Sequence, residues 1–209
     1  MLPDYLVAVV VGVYLISFFS LNVFNVLKGI RVREGDSYAE VETPRGLPVA
    51  MASMGTIAFF IEALGIVLSG FSGDLYPFFR SHQFHLPLES FFQALGLAVM
   101  GSGFSVFIWS VVARGCHSVS WAMPEDHALI TSGPYRYVRH PSYLGYFLMF
   151  IGLPFTMQNA LAFIPLMAIP GYRIVAIREE VLLVERFGDA YREYAERTGR
   201  FLPRILLGA

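Results

Sequence analysis

The sequence is poor in charge, in cysteine and in lysine. Asp, Glu, Lys and Arg together make up 15% of its 209 residues, against roughly 25% in an ordinary soluble domain. The net charge is -1, and no basic run is long enough to track phosphates, so nucleic acid is excluded as a partner. A single cysteine, Cys116, rules out an internal disulfide and a cysteine-cage metal site. A single lysine, Lys28, leaves arginine to carry nearly all the positive charge. There is no Gly-x-Ser-x-Gly elbow and no Ser-His-Asp logic. No three metal ligands fall at close spacing, and the pair His82 and His85 has no nearby Cys, Asp or Glu to complete a site, so no metal is assigned. The N-terminus lacks a basic n-region, carries Asp4, and opens an apolar run too long for a signal h-region. It reads as a first spanning helix.

What is present is apolar. Hydrophobic residues are 56% of the chain, and the expected fold is an all-α integral membrane protein. Leu6 to Leu27 reaches the roughly 20 residues a bilayer requires. A second span is expected from Val49 to Phe71, a third from Leu88 to Ala113, a short fourth from Ser142 or Tyr143 to Met157, and a fifth from Ala160. Gly96, Gly101 and Gly103 give the third span small faces suited to close helix packing. Glu62 lies inside the second span, where a carboxylate is costly; it is either a functional residue facing the bundle or a hydrogen-bonded packing residue. Pro165 and Pro170-Gly171 are expected to kink the fifth span. Beyond them Val181, Val184, Phe187, Tyr191 and Tyr194 recur at three-four spacing between charged residues, the pattern of an amphipathic surface helix, with Gly188 placed to interrupt it.

Five spans divide the basic residues sharply. Lys28, Arg31, Arg33, Arg45, Arg114, Arg136, Arg139, Arg173, Arg178 and the five later arginines fall on one side, and only Arg80 on the other. The positive-inside rule then makes the C-terminus and both large polar segments cytoplasmic. The chain is expected to form one membrane domain, 1–209: three N-terminal spans over 1–113, then a cofactor-binding loop, helical hairpin and C-terminal helix over 114–209.

Two polar pieces stand on that cytoplasmic side. One runs from His127 to Tyr143, and the other is Arg178-Glu179-Glu180. Adjacent carboxylates with aromatic faces suit a cationic cofactor, through ion pairing and cation–π attraction. A sulfonium such as S-adenosylmethionine has that chemistry: its amino group needs a carboxylate, its carboxylate an arginine or backbone N–H, its adenine an apolar slot. Arg136 and Arg139 are read as headgroup or topology arginines.

The run Gly133-Pro-Tyr-Arg-Tyr-Val-Arg-His-Pro-Ser-Tyr143, followed by Glu179-Glu180-x-x-Leu183 and Phe187-Gly188-x-x-Tyr191-x-x-Tyr194, resembles the isoprenylcysteine carboxyl methyltransferase family and its phospholipid-methyltransferase relatives. The resemblance covers about His127 to Pro203. It implies a donor, S-adenosylmethionine, held in the cytoplasmic C-terminal region, and a lipophilic or prenylated acceptor within the membrane lipid. No obligate protein partner is implied. It assigns donor contacts to His127, Ala128, Leu129, Ile130, Tyr135, His140, Pro141, Ser142, Tyr143, Glu179 and Glu180, with Glu179 nearest the reacting group as the catalytic candidate. The carboxyl methyltransferases also place a substrate arginine four residues before the first glutamate. Here that position is Val175, and Arg173 and Arg178 flank it as substrate-binding candidates. Two rivals come from other classes. Sterol-type membrane reductases, which use NADPH, carry a similar Arg-His-Pro-x-Tyr element on more spans. A non-catalytic membrane scaffold is the third reading.

Overall fold

The computed structural model describes residues 1–32, 45–72, 82–115 and 129–204. Its helices are α1 (Asp4–Val32), α2 (Leu47–Ser72), α3 (Glu89–Arg114), α4 (Pro141–Met157), α5 (Ala168–Phe187) and α6 (Asp189–Arg197). A 3-10 turn, Gly133–Arg136, precedes α4, and a longer 3-10 segment, Ala160–Met167, leads into α5. The described residues contain no strand, only two isolated bridges.

Four stretches are long and apolar enough to cross a membrane: Asp4–Leu27, Leu47–Ser72, Glu89–Arg114 and Ala160–Phe187. Four of the five expected spans thus reach the length required, and the expected fourth does not. The difference is α4, which has 17 residues and measures about 25 Å along its axis at 1.5 Å per residue, against roughly 30 Å for a hydrocarbon core. His140-Pro141 starts it late and Gln158 ends it early, in a left-handed conformation at φ 49°.

α4 is held by backbone contact rather than by length. Glycines seven residues apart on α3, Gly96 and Gly103, meet glycines seven apart on α4, Gly152 and Gly145. A Cβ at Gly103 would lie 2.6 Å from the Gly145 carbonyl oxygen, and one at Gly96 2.7 Å from that of Gly152. At these two points backbone meets backbone, the device by which membrane helices gain close van der Waals packing. The pair is antiparallel. Gln158 at the end of α4 donates to the carbonyl of Glu89 at the start of α3 (2.8 Å), while Ser142 at the start of α4 meets Ser110 near the end of α3 (2.8 Å). α2 and α5 also approach closely, with Gly55 against Ala168 and Gly171 against Pro48 and Ala52.

Phe59, Met100, Phe104, Met149, Phe150 and Leu153 fill the interior, and Phe18 joins them through tilted and edge contacts with Phe60, Phe104 and Phe107. Large apolar side chains such as Ile16, Phe24, Ile57, Ile61 and Val112 face outward, as a hydrocarbon solvent permits. Glu62 sits on the inner face of α2, 7% exposed, with Oε2 unpartnered. It lies about 22 Å along the helix from Leu47, towards the end away from the polar cluster described below.

The prolines act by changing the helix type. Pro165 lies in the 3-10 segment, Pro170 falls in the first turn of α5, and the α-helix begins between them at Ala168. A missing N–H is tolerated in a first turn, where it has no intrahelical acceptor. The amphipathic pattern is divided as Gly188 predicts: that residue adopts φ 55° and ψ -128°. Val181, Val184 and Phe187 therefore extend the spanning helix, and only the nine residues of α6 form a separate helix. α6 packs back through Tyr191, which is 2% exposed.

Candidate active site

The site starts from a two-residue pairing. Val138 and Gly199 form a parallel bridge, with Arg139 N–H donating to Gly199 C=O (2.8 Å) and His140 N–H to Arg200 C=O (3.1 Å). This ties the segment entering α4 to the segment leaving α6. It sets Arg139, His140 and Arg200 against Glu179 and Glu180 near the end of α5.

The two glutamates receive different treatment. Glu180 is saturated by the protein. Its Oε1 accepts from Arg139 Nε (2.8 Å) and Arg200 Nε (3.0 Å), and its Oε2 from Arg200 Nη2 (2.6 Å). His140 Nε2 lies 3.2 Å from the same Oε1. Arg139 also donates to the carbonyls of Ala195 (2.9 Å) and Thr198, so one guanidinium stitches α5 to the end of α6. Glu179 is held on one side only. Tyr143 O–H donates to Oε1 (2.7 Å), whereas the nearest partner of Oε2 is His140 Nδ1 at 3.5 Å, beyond a good hydrogen bond. An acidic oxygen with spare lone pairs thus faces a ring nitrogen in a largely enclosed place.

Aromatic faces extend inward from that oxygen. His140 and Tyr143 stack at 5.5 Å with 2° between their planes. Tyr143 packs on Tyr172 (4.7 Å), and Tyr172 on Tyr146 (5.4 Å). Tyr172 is fixed by a 2.9 Å hydrogen bond to Thr56 on α2. A carboxylate beside stacked aromatic faces attracts a cation by charge and by ring quadrupole together.

The 3-10 turn braces the outer side. Tyr194 O–H donates to the Tyr135 carbonyl (2.7 Å), and Thr198 Oγ1 donates to the Tyr194 carbonyl (2.7 Å). The Tyr135 phenol faces the Ser110 and Ser142 hydroxyls, and burial pushes it above the usual tyrosine value, with the Arg114 charge opposing. It is a neutral donor at any ordinary pH. Burial likewise raises Tyr191 and Tyr194.

Residues 91–190 match the profile described as phospholipid methyltransferase. This stretch is similar to the phospholipid methyltransferases. The matched stretch holds His140, Tyr143, Glu179 and Glu180, and Arg200 lies outside it. Relatives over a similar length include protein-S-isoprenylcysteine O-methyltransferases. That of Schizosaccharomyces pombe is 35% identical over 92 residues, covering 43% of this chain and 39% of the relative. The human one is 36% identical over 92 residues, 43% of this chain and 32% of the relative. Protein-S-isoprenylcysteine O-methyltransferase A of Arabidopsis thaliana is 34% identical over 92 residues, 43% and 46%. The match spans less than half the length of each of these methyltransferases.

Of the residues expected at the donor, the fold gathers Tyr135, His140, Pro141, Ser142, Tyr143, Glu179 and Glu180 into one cluster. Leu129 and Ile130 are half-buried ahead of the 3-10 turn. His127 and Ala128 lie outside the described residues, as does Cys116. Arg173 and Arg178 are exposed on α5, and Arg178 donates to the Arg45 carbonyl (3.1 Å); neither joins the cluster. Val175 is 1% exposed and sits one turn before Glu179. Sequence reasoning took Arg139 for a headgroup arginine, and the structure makes it a buried partner of Glu180. Its adjacency to His140 was the available signal. Arg200 and Tyr172 had no local signal, because a long-range bridge and a helix contact bring them in.

Proposed function

We propose that this protein transfers a methyl group from S-adenosylmethionine to a lipophilic acceptor in the membrane, an isoprenylcysteine carboxylate or another lipid, thiol or amine. One observation carries the reading: Glu179 offers an uncommitted oxygen beside His140 and stacked aromatic faces. The similarity of residues 91–190 to phospholipid methyltransferases and of the chain to protein-S-isoprenylcysteine O-methyltransferases supports it.

The residues present fit such a donor. Glu179 and the Tyr143–Tyr172 faces would hold its cationic groups, and Tyr135, Ser142 and Leu129-Ile130 would line its other parts. When bound, the sulfonium supplies an electrophilic methyl group. Glu180, neutralised by Arg139 and Arg200, fixes His140 and the backbone around it. Tyr143 orients Glu179. The aromatic wall excludes water, which matters where a cation is consumed and charge disappears. Positioning is then the main protein contribution, since in-line displacement needs no covalent intermediate. The acceptor would enter laterally between helices with its tail in hydrocarbon.

Arg45, Arg114, Arg139, Arg178 and Arg200 all lie at the end that holds Glu179, while Asp4 and Glu89 lie at the other. By the positive-inside rule that end and the C-terminal segment face the cytoplasm.

Titration calorimetry in detergent tests the reading. S-adenosylmethionine or its demethylated product should bind the wild type, and Glu179→Ala and His140→Ala should each weaken binding at least tenfold. Binding of neither ligand to the folded wild type refutes it.

A further inference from the structure

Arg114 closes the last turn of α3 and carries a charge that no carboxylate balances among the described residues. Its side chain donates from Nη2 to the Ser142 hydroxyl at 3.1 Å. Its Nε is buried with no partner. Nε and Nη2 form the edge by which a guanidinium grips a carboxylate through two parallel bonds. Here one end of that edge rests on a hydroxyl and the other makes no bond. A buried charged donor without an acceptor is costly, and an anion is the partner that would remove the cost.

The neighbours are hydroxyls rather than acids. Ser110 Oγ lies 2.8 Å from Ser142 Oγ, and the Tyr135 phenol faces both. Ser110 already donates to the Phe107 carbonyl (2.7 Å), and the Ser142 and Tyr135 hydroxyls can turn their protons to an anion. The cluster also adjoins Glu179: Ser142 is followed by Tyr143, whose hydroxyl holds the Glu179 carboxylate (2.7 Å), and Arg114 lies within electrostatic reach of that carboxylate without touching it. An anion-seeking group and a cation-seeking group therefore stand side by side across the first turn of α4. A zwitterionic amino-acid moiety requires that pair.

We infer that Arg114 binds the α-carboxylate of the methyl donor, with Ser110, Ser142 and Tyr135 beside it, while Glu179 faces the donor's cationic groups. The inference rests on the methyltransferase reading. An acceptor carboxylate would offer the same chemistry, so the test separates the two sources.

The full chain in detergent is titrated with S-adenosylhomocysteine and with the analogue in which hydrogen replaces the α-carboxylate, using wild type, Arg114→Gln and Arg114→Lys. A charge-assisted hydrogen bond corresponds to a factor of about 10–100 in affinity. The wild type should bind the decarboxylated analogue weaker by that factor. Arg114→Gln should weaken S-adenosylhomocysteine similarly yet change the analogue's affinity less than about threefold, and Arg114→Lys should recover part of the loss. A wild type that binds both ligands alike overturns the assignment without recourse to a variant. Equal loss of both ligands in Arg114→Gln, the result of a packing role, also overturns it. So does unchanged S-adenosylhomocysteine affinity, the result of an acceptor site. Failure of the wild type to bind either ligand instead refutes the methyltransferase reading itself.

Discussion

Replacing Glu180 with glutamine removes the charge that Arg139, Arg200 and His140 share. The side chain is 12% exposed and that of Arg139 11%, whereas that of Arg200 is 38%. Breaking a buried ion pair by deleting one member costs about 3–5 kcal/mol, because the survivor is left uncompensated. Arg200 can turn to water, so the lower end applies, about 3 kcal/mol, or more than a hundredfold in the folding equilibrium. Glu179→Gln has a different expected outcome. The amide oxygen still accepts from Tyr143, and no arginine in contact loses a partner, so the loss is about 1 kcal/mol or less. Donor affinity should show the reverse order, falling at least tenfold in Glu179→Gln. Stability would be read by mixed-micelle denaturation followed by far-ultraviolet circular dichroism, and affinity by calorimetry on the folded fraction. The reasoning is refuted if the two variants lose stability to within 1 kcal/mol of each other, or if Glu180→Gln keeps full stability while losing the donor.

Gly145→Leu should destabilise the α3–α4 pair by at least about 2 kcal/mol, since a Cβ there meets the Gly103 carbonyl at 2.8 Å; a melting temperature equal to wild type would show that the helices can separate freely. Tyr194→Phe should cost about 1 kcal/mol through the lost bond to the Tyr135 carbonyl, measured by the same denaturation. Arg178→Ala should leave donor affinity unchanged and alter stability by no more than about 0.5 kcal/mol, because its one bond is at an exposed surface; a tenfold affinity loss in calorimetry would return Arg178 to the site.

The three long helices could be read from the chain because uninterrupted apolar runs leave no other way to satisfy the backbone in hydrocarbon. The Glu179–His140–Tyr143 group was legible for a different reason: the resemblance singles out the His140-Pro-Ser-Tyr143 and Glu179-Glu180 elements, and the charge pattern puts both on one side. The extent of α4 was harder to judge, since its boundaries depend on how Pro141 and Gln158 are placed and its seating depends on Gly145 and Gly152 finding Gly103 and Gly96. The contrast between the two glutamates was not legible at all. Nothing in Glu179-Glu180 says which one two arginines will saturate. That is decided by the register of Val138 against Gly199, a contact between residues 61 positions apart.

That register also sets an order of assembly. Arg139 and Arg200 are separated by 61 residues, and translation adds about 5–20 residues per second, so roughly 3–12 s pass between them. Glu180 follows Arg139 by 41 residues, so only over the last 20, about 1–4 s, do both exist without the second guanidinium. All six helices have been synthesised before it arrives. A chain ending just short of Arg200 would therefore contain all six helices and lack the guanidinium that makes two of the bonds to Glu180.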